Sequence, residues 1–453
     1  MKKILLFLFI FPLLFPEPAF AHAFGKLYNL PIPFWMYLYG GAAALIVSFL
    51  IIGFFLSKTN KNFSYPSRKV STFLTNDRLI NNLKISSFFL FLLTTVSGLF
   101  GTNDSYNNFN MTFFWIIFFL GLTYLTAIVG DVYTLLNPWK ILVEWYEKLS
   151  RTKAQGFVRY PQKLGYFPAM FFYFLFIWFE LIGQTTPAIL SSILMQYTII
   201  NMAGVYILGK EPWFRYCEFF SVFFRLIAKM APWPPFVGLL KEKAEHLSLL
   251  MFILFMLSST AFDGFRETTL WVRIYWSYID DIIRPILGDG SYVVFQTIGL
   301  FLSPIVFLAM YLVFITLAKI FTKSKLSVGQ LALEFAFSLV PIAFVYNIAH
   351  YYTILITQGP DIIRLASDPF GFGWNLFNTA NYFSFFLPDA NFVWHSQVAL
   401  ILGGHIIGVY LAHCIAVVIF PSHKKALLSQ FPMLILMIIY TIIGLWILSQ
   451  PLA

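Results

Sequence analysis

The stretch SYVVFQTIGLFLSPIVFLAMYLVFITLA, Ser291 to Ala318, decides the fold. It runs 28 residues without an Asp, Glu, Lys or Arg. A helix needs ~20 mostly apolar residues to cross a bilayer core, and this stretch exceeds that. Its apolar run is continuous. A membrane β-barrel would instead show ~10-residue segments of alternating polarity. Nine similar segments surround it, near 34–57, 86–101, 111–130, 167–183, 187–208, 247–263, 330–358, 394–420 and 431–449. The chain reads as an all-α polytopic transmembrane helical bundle of about ten spans, forming one integral membrane domain over residues 22–453.

Composition points the same way. The chain has 453 residues, 59% of them apolar and 11% charged, with a mean hydropathy of +0.77. A soluble domain carries about 25% charged residues, so soluble folds are excluded. The 55 Phe, 24 Tyr and 12 Trp suit a surface that meets lipid and its interfaces. The net charge of +10 does not imply a nucleic-acid partner. In a membrane protein, basic residues mark the cytoplasmic loops. Cys217 and Cys414 are too few for a disulfide framework.

Lys2 and Lys3 precede an apolar run from Ile4 to Phe15, and Ala19-Phe20-Ala21 follows. A basic start, a short apolar core and an A-x-A site make residues 1–21 a signal peptide, with cleavage leaving His22 first. The distribution of Lys and Arg gives an orientation. Loops 58–85, 137–166, 209–246, 319–329 and 421–430 hold 23 of them, and the intervening segments hold five. The alternation persists through all ten spans and predicts both termini outside. Within loop 209–246, Phe214 to Met230 reads as an amphipathic helix lying in the cytoplasmic interface. Asn137-Pro138-Trp139 and Glu211-Pro212-Trp213 form a weak internal echo after spans three and five.

Ionisable residues inside spans are costly and mark candidate sites. Span eight carries Asn347 and His350 at i, i+3 on one face, beyond a Pro341 expected to kink it near mid-bilayer. Span nine carries His395 at its outer mouth, His405 deeper and His413 near the inner third. Span four ends outside with Glu180, and span six ends with Asp263, followed by Glu267. The metal-ligand candidates are His350, His405, His395 and His22. The catalytic candidates are Glu180, Asp263 and Glu267. Imidazole with carboxylate suits zinc, copper or iron, and suits a proton relay equally. Asp131, at the inner end of span three, reads as a helix-end contact.

His22-Ala23-Phe24-Gly25, Gly130-Asp131-Val132, Asn137-Pro138-Trp139, the Gly209–Glu218 stretch, Asp263-Gly264, Ser367-Asp368-Pro369-Phe370-Gly371, Gly404-His405 and Ala412-His413 together resemble a bacterial family of polytopic membrane proteins. Many members of that family carry the name fenitrothion hydrolase. The resemblance covers nearly the whole chain after residue 21. It implies an organophosphate hydrolase. Cys414 follows His413 where family members usually carry an acidic residue.

Three functions compete. The first is a metal-dependent hydrolase, with water activated at an outer-half site on His350, His405 and a carboxylate. The second is a proton-coupled or metal-handling transporter acting on a small molecule or ion. The third is a haem protein ligated by His350 and His405. No G-x-x-x-x-G-K-[ST] loop occurs, so ATP-driven transport within this chain is excluded.

Overall fold

A computed structural model describes residues 31–55, 76–231, 237–383, 386–420 and 422–450. The expected signal peptide, His22 and most of loop 58–85 lie outside the described residues. Ten helical segments fall where the apolar runs predict them: α1 (Phe34–Phe55), α2 (Asp77–Phe100), α3 (Phe109–Val129), α4 (Phe167–Leu181), α5 (Pro187–Leu208), α6 (Leu247–Arg266), α7 (Ser291–Thr322), α8 (Val328–Thr357), α9 (Ala390–Ile419) and α10 (His423–Ser449). Among the described residues no β-strand occurs. Nine of the ten are long and apolar enough to cross a membrane; α4, with 15 residues, is shorter. The chain is a multi-pass helical membrane protein.

Two groups of helices share one core. In one, α8 packs on α9, α9 and α7 on α10, α6 on α7 and α8, and α1 on α9 and α10. In the other, α2 packs on α5, while α3 and α4 close on the helix Phe219–Ala228. The groups meet where α4 touches α6 and α3 touches α8. The central helices are α6 and α8, whose most apolar windows are 83% and 72% buried, against 22% for α7. A lipid-facing helix needs apolar residues all round, whereas a central one tolerates polar residues if they are paired. The costly charges of α6 and α8 therefore face protein.

Two spans depart from regular helix. In α3, Thr112–Gly121 is π-helical. In α8, a 3₁₀ turn at Ala336–Leu339 separates Val328–Phe335 from Val340–Thr357. Pro341 therefore does not kink a continuous helix, as the sequence suggested. It sits in the first turn of the second half, where its missing N–H breaks no helical bond.

The segment Phe214–Met230 also differs from expectation. It forms two helices, Lys210–Tyr216 and Phe219–Ala228, divided at Cys217 and Glu218. Eight of the ten residues of the second are buried. Phe220 packs edge-on to Phe114 and Phe176 and stacks on Trp139, and Phe224 stacks on Tyr133. The aromatic face packs on α3 and α4 rather than on lipid. The two Pro-Trp pairs both dock on α5. Trp139 Nε1 donates to Thr198 Oγ1 at 2.9 Å, and Trp213 Nε1 donates to Asn201 Oδ1 at 2.7 Å.

The loop after α2 packs against the loop after α8. Thr102 N–H donates to the Phe370 carbonyl at 2.7 Å, and Arg364 donates to Asn107 Oδ1 and the Tyr106 carbonyl, each at 2.9 Å. Gly371, at φ +70°, lies where a Cβ would come within 2.4 Å of Thr102. That position requires glycine.

Candidate functional site

Asp263 lies in the last turn of α6 with its side chain 1% exposed. A buried carboxylate needs several donors to offset lost hydration, and α8 supplies two. Tyr351 Oη donates to Asp263 Oδ2 at 2.7 Å, and His350 places Nε2 2.8 Å from the same oxygen. Neighbouring residues point to one carboxylate because Asp263 meets α8 where it presents both side chains. Asp263 Oδ1 accepts from Arg266 Nε at 3.3 Å, one turn further along α6. Arg266 also pairs with Glu267, Nη2 to Oε1 at 3.0 Å.

Glu180, on α4, stands close enough for its charge to act on Tyr351. Asp263 thus joins one guanidinium and one imidazole, and Glu267 pairs with the guanidinium. In formal charge, Asp263 and Glu267 outnumber Arg266 by one beside the imidazole. Only one nitrogen of the imidazole is engaged. Nδ1 has no hydrogen-bond partner among the described residues, and the side chain keeps 18% exposure.

The other predicted residues are placed apart. His405 is buried, and its Nδ1 donates to the Ile401 carbonyl of its own helix at 2.8 Å. Among the described residues no hydrogen bond or ring contact joins it to His350. His395 Nδ1 donates to the Asn391 carbonyl at 2.7 Å, and Nε2 lies 3.3 Å from Tyr37 Oη. His413 Nδ1 donates to Gln430 Oε1 at 3.0 Å. Asp131 accepts from the N–H and hydroxyl of Thr134, a helix-end contact. Among the described residues no group of three or more His, Cys, Asp or Glu side chains is arranged to hold a metal ion.

Sequence reading missed two members, Arg266 and Tyr351. Arg266 had a signal, since i, i+3 residues share a helix face. Tyr351 had none, because one Tyr among 24 in an aromatic-rich chain does not stand out.

Other buried polar atoms of α8 and α9 have no hydrogen-bond partner among the described residues, namely Asn347 Oδ1, Tyr346 Oη, His405 Nε2 and His413 Nε2. All four belong to α8 and α9, which pack on one another. The comparisons add no relative: no family model, curated protein or solved structure matches the chain.

Proposed function

We propose that this protein is a proton-coupled transporter of the bacterial inner membrane, with Asp263 and His350 as the proton-carrying pair and both termini outside. The single observation that carries the reading is the 2.8 Å contact of His350 with a carboxylate that also faces Arg266. In this reading Asp263 holds the ring through Nε2, and Nδ1 exchanges the proton with the outer side. A positive imidazole competes with Arg266 for the same carboxylate, so protonation weakens the Asp263–Arg266 contact between residues of one helix turn. The interrupted α8 supports a moving element, since broken helices line the sites of many transporters. The orientation rests on the 23 basic residues of the alternating loops.

The donor set favours a proton over a metal. Asp263 and His350 supply two ligands where zinc takes three or four, and a guanidinium already lies against one carboxylate oxygen. Hydrolysis of a phosphotriester, the activity implied by the family resemblance, would use His350 Nδ1 as general base toward water, with Asp263 orienting the ring. An outer-side pH step in solid-supported-membrane electrophysiology tests the transport reading. The expected result is a transient charge displacement that is lost in Asp263→Asn and in His350→Ala. An unchanged transient in both folded variants overturns it.

A further inference from the structure

On the opposite side of the bundle, where the basic loops gather, a 670 Å³ cavity opens between the Lys210–Tyr216 and Phe219–Ala228 helices and the start of α6. Seven Lys or Arg side chains line it against three Glu. Most of the positive charge is matched locally. Arg215 pairs with Glu245 at 3.1 Å, Lys210 with Glu147 at 2.9 Å, Lys243 with Glu334 at 2.8 Å, and Lys229 with Glu242. Three cations stand outside these pairs, Lys241, Arg225 and Lys140, and Lys241 has an interaction of its own. Arg225 donates Nη2 to the Arg215 carbonyl at 2.7 Å and has no carboxylate at ion-pair distance among the described residues. Lys140 likewise has no ion pair among the described residues.

We infer that this cavity binds a phosphate-bearing anion through Arg225 and Lys140. The remaining guanidinium donors of Arg225 match phosphate geometry, and an ammonium adds a point charge. Phe214, Leu226, Leu249 and Phe337 form an apolar side, which suits a phosphate attached to an organic group better than a bare ion. The volume falls within the range of small-molecule sites, roughly 300–1,000 Å³. A soluble organic phosphate and an anionic lipid headgroup share this chemistry.

The experiment uses full-length protein in detergent with two probes, inorganic pyrophosphate in solution and phosphatidic acid in mixed micelles. Binding is read by microscale thermophoresis. Saturable binding of at least one probe is expected, weakened about tenfold by Arg225→Gln and by Lys140→Gln, the loss expected for one charge-assisted contact. Lys148→Gln, at an exposed position outside the cavity, leaves it unchanged. Pyrophosphate binding alone assigns a soluble ligand, phosphatidic acid binding alone assigns a headgroup, and either supports the site. If Arg225→Gln does not fold, the half-exposed Lys140→Gln carries the test. No saturable binding of either probe, or unchanged affinity in the folded variants, overturns the inference.

Discussion

Glu218 shows how a buried charge can be structural. It is fully buried between the two helices of the 209–231 segment. Its carboxylate accepts from Ser221 N–H at 2.8 Å, Ser221 Oγ at 2.6 Å, Phe220 N–H at 3.1 Å, Tyr197 Oη at 2.8 Å and Asn137 Nδ2 at 3.1 Å. These bonds tie α5 and the Pro138–Ser150 helix to the start of Phe219–Ala228. Glu218→Leu leaves several donors buried without an acceptor, at about 1–3 kcal/mol each. The expected loss is several kcal/mol, read as a large drop in thermal unfolding temperature in detergent, with Glu218→Gln intermediate. An unchanged midpoint would show that the network adds nothing. Asp263 has the same character with a different distribution of partners. Its donors include a titratable ring and a cation, whereas those of Glu218 are neutral. A double-mutant cycle of Asp263→Asn with His350→Gln should therefore show coupling of about 1 kcal/mol or more. Additive effects would mean that the contact carries no energy. Sequence could flag Asp263, a charge at the end of an apolar run, but not Glu218, which sits in a basic loop where charges are ordinary.

The helices themselves were largely legible, because each long apolar run has one low-cost state in lipid. Their ends were less so. The second span starts at Asp77 rather than near residue 86, since Asn76 caps it through bonds to Arg78 and Leu79 N–H. The α8 interruption and the burial of Phe219–Ala228 depend on tertiary partners, which no local pattern encodes. Close crossings are similarly hidden. A Cβ on Gly98 of α2 would lie 2.0 Å from Asn110 Nδ2, 2.2 Å from Ser191 Oγ and 2.4 Å from the Pro187 carbonyl. The α2–α5 contact is of the small-residue kind that lets membrane helices approach closely. Gly98→Val should separate these helices and reduce the yield of monodisperse protein in size-exclusion chromatography, whereas Gly403→Ala, with open space at its Cβ, should not. Normal yield from Gly98→Val would refute the close packing. A second contact is acid-sensitive. The Lys210 hydrogen bond to Glu147, together with backbone and charge contributions, holds that carboxyl below its usual range. A lowered folded-state pKa contributes stability above the unfolded value, which is lost as pH falls through the folded one. The Pro138–Ser150 helix should therefore exchange its amides faster on acidification into that window. Lys210→Gln should flatten the response, and an identical pH response in the variant would refute it.

Taken as one body, the bundle separates its polar chemistry by side. The Asp263–His350 cluster sits at the ends of α6 and α8 next to loops poor in Lys and Arg, and the phosphate-type cavity sits among the basic ones. The separation has a single origin in charge placement. Acidic residues exceed basic ones around the Asp263–His350 site, which favours a proton there, while the excess of Lys and Arg at the other end favours anions. Both assignments depend on which side is which, and the loops supply the asymmetry, 23 basic residues against five. Each basic residue near a span resists translocation, so the bias acts at every loop and not only at the first. With all ten helices crossing, as the charge alternation predicts, both ends of the bundle share a side. Alkaline phosphatase fused after Ala453 should therefore be active, and green fluorescent protein at the same point dark. Fused after Lys325, between α7 and α8, the reporters should reverse. The fifteen-residue α4 makes the Lys325 fusion decisive, because four spans would precede α6 if α4 did not cross, and every later loop would change side. A fluorescent Ala453 fusion with a phosphatase-active Lys325 fusion would mean that α4 does not cross, and that the proton site faces the cytoplasm.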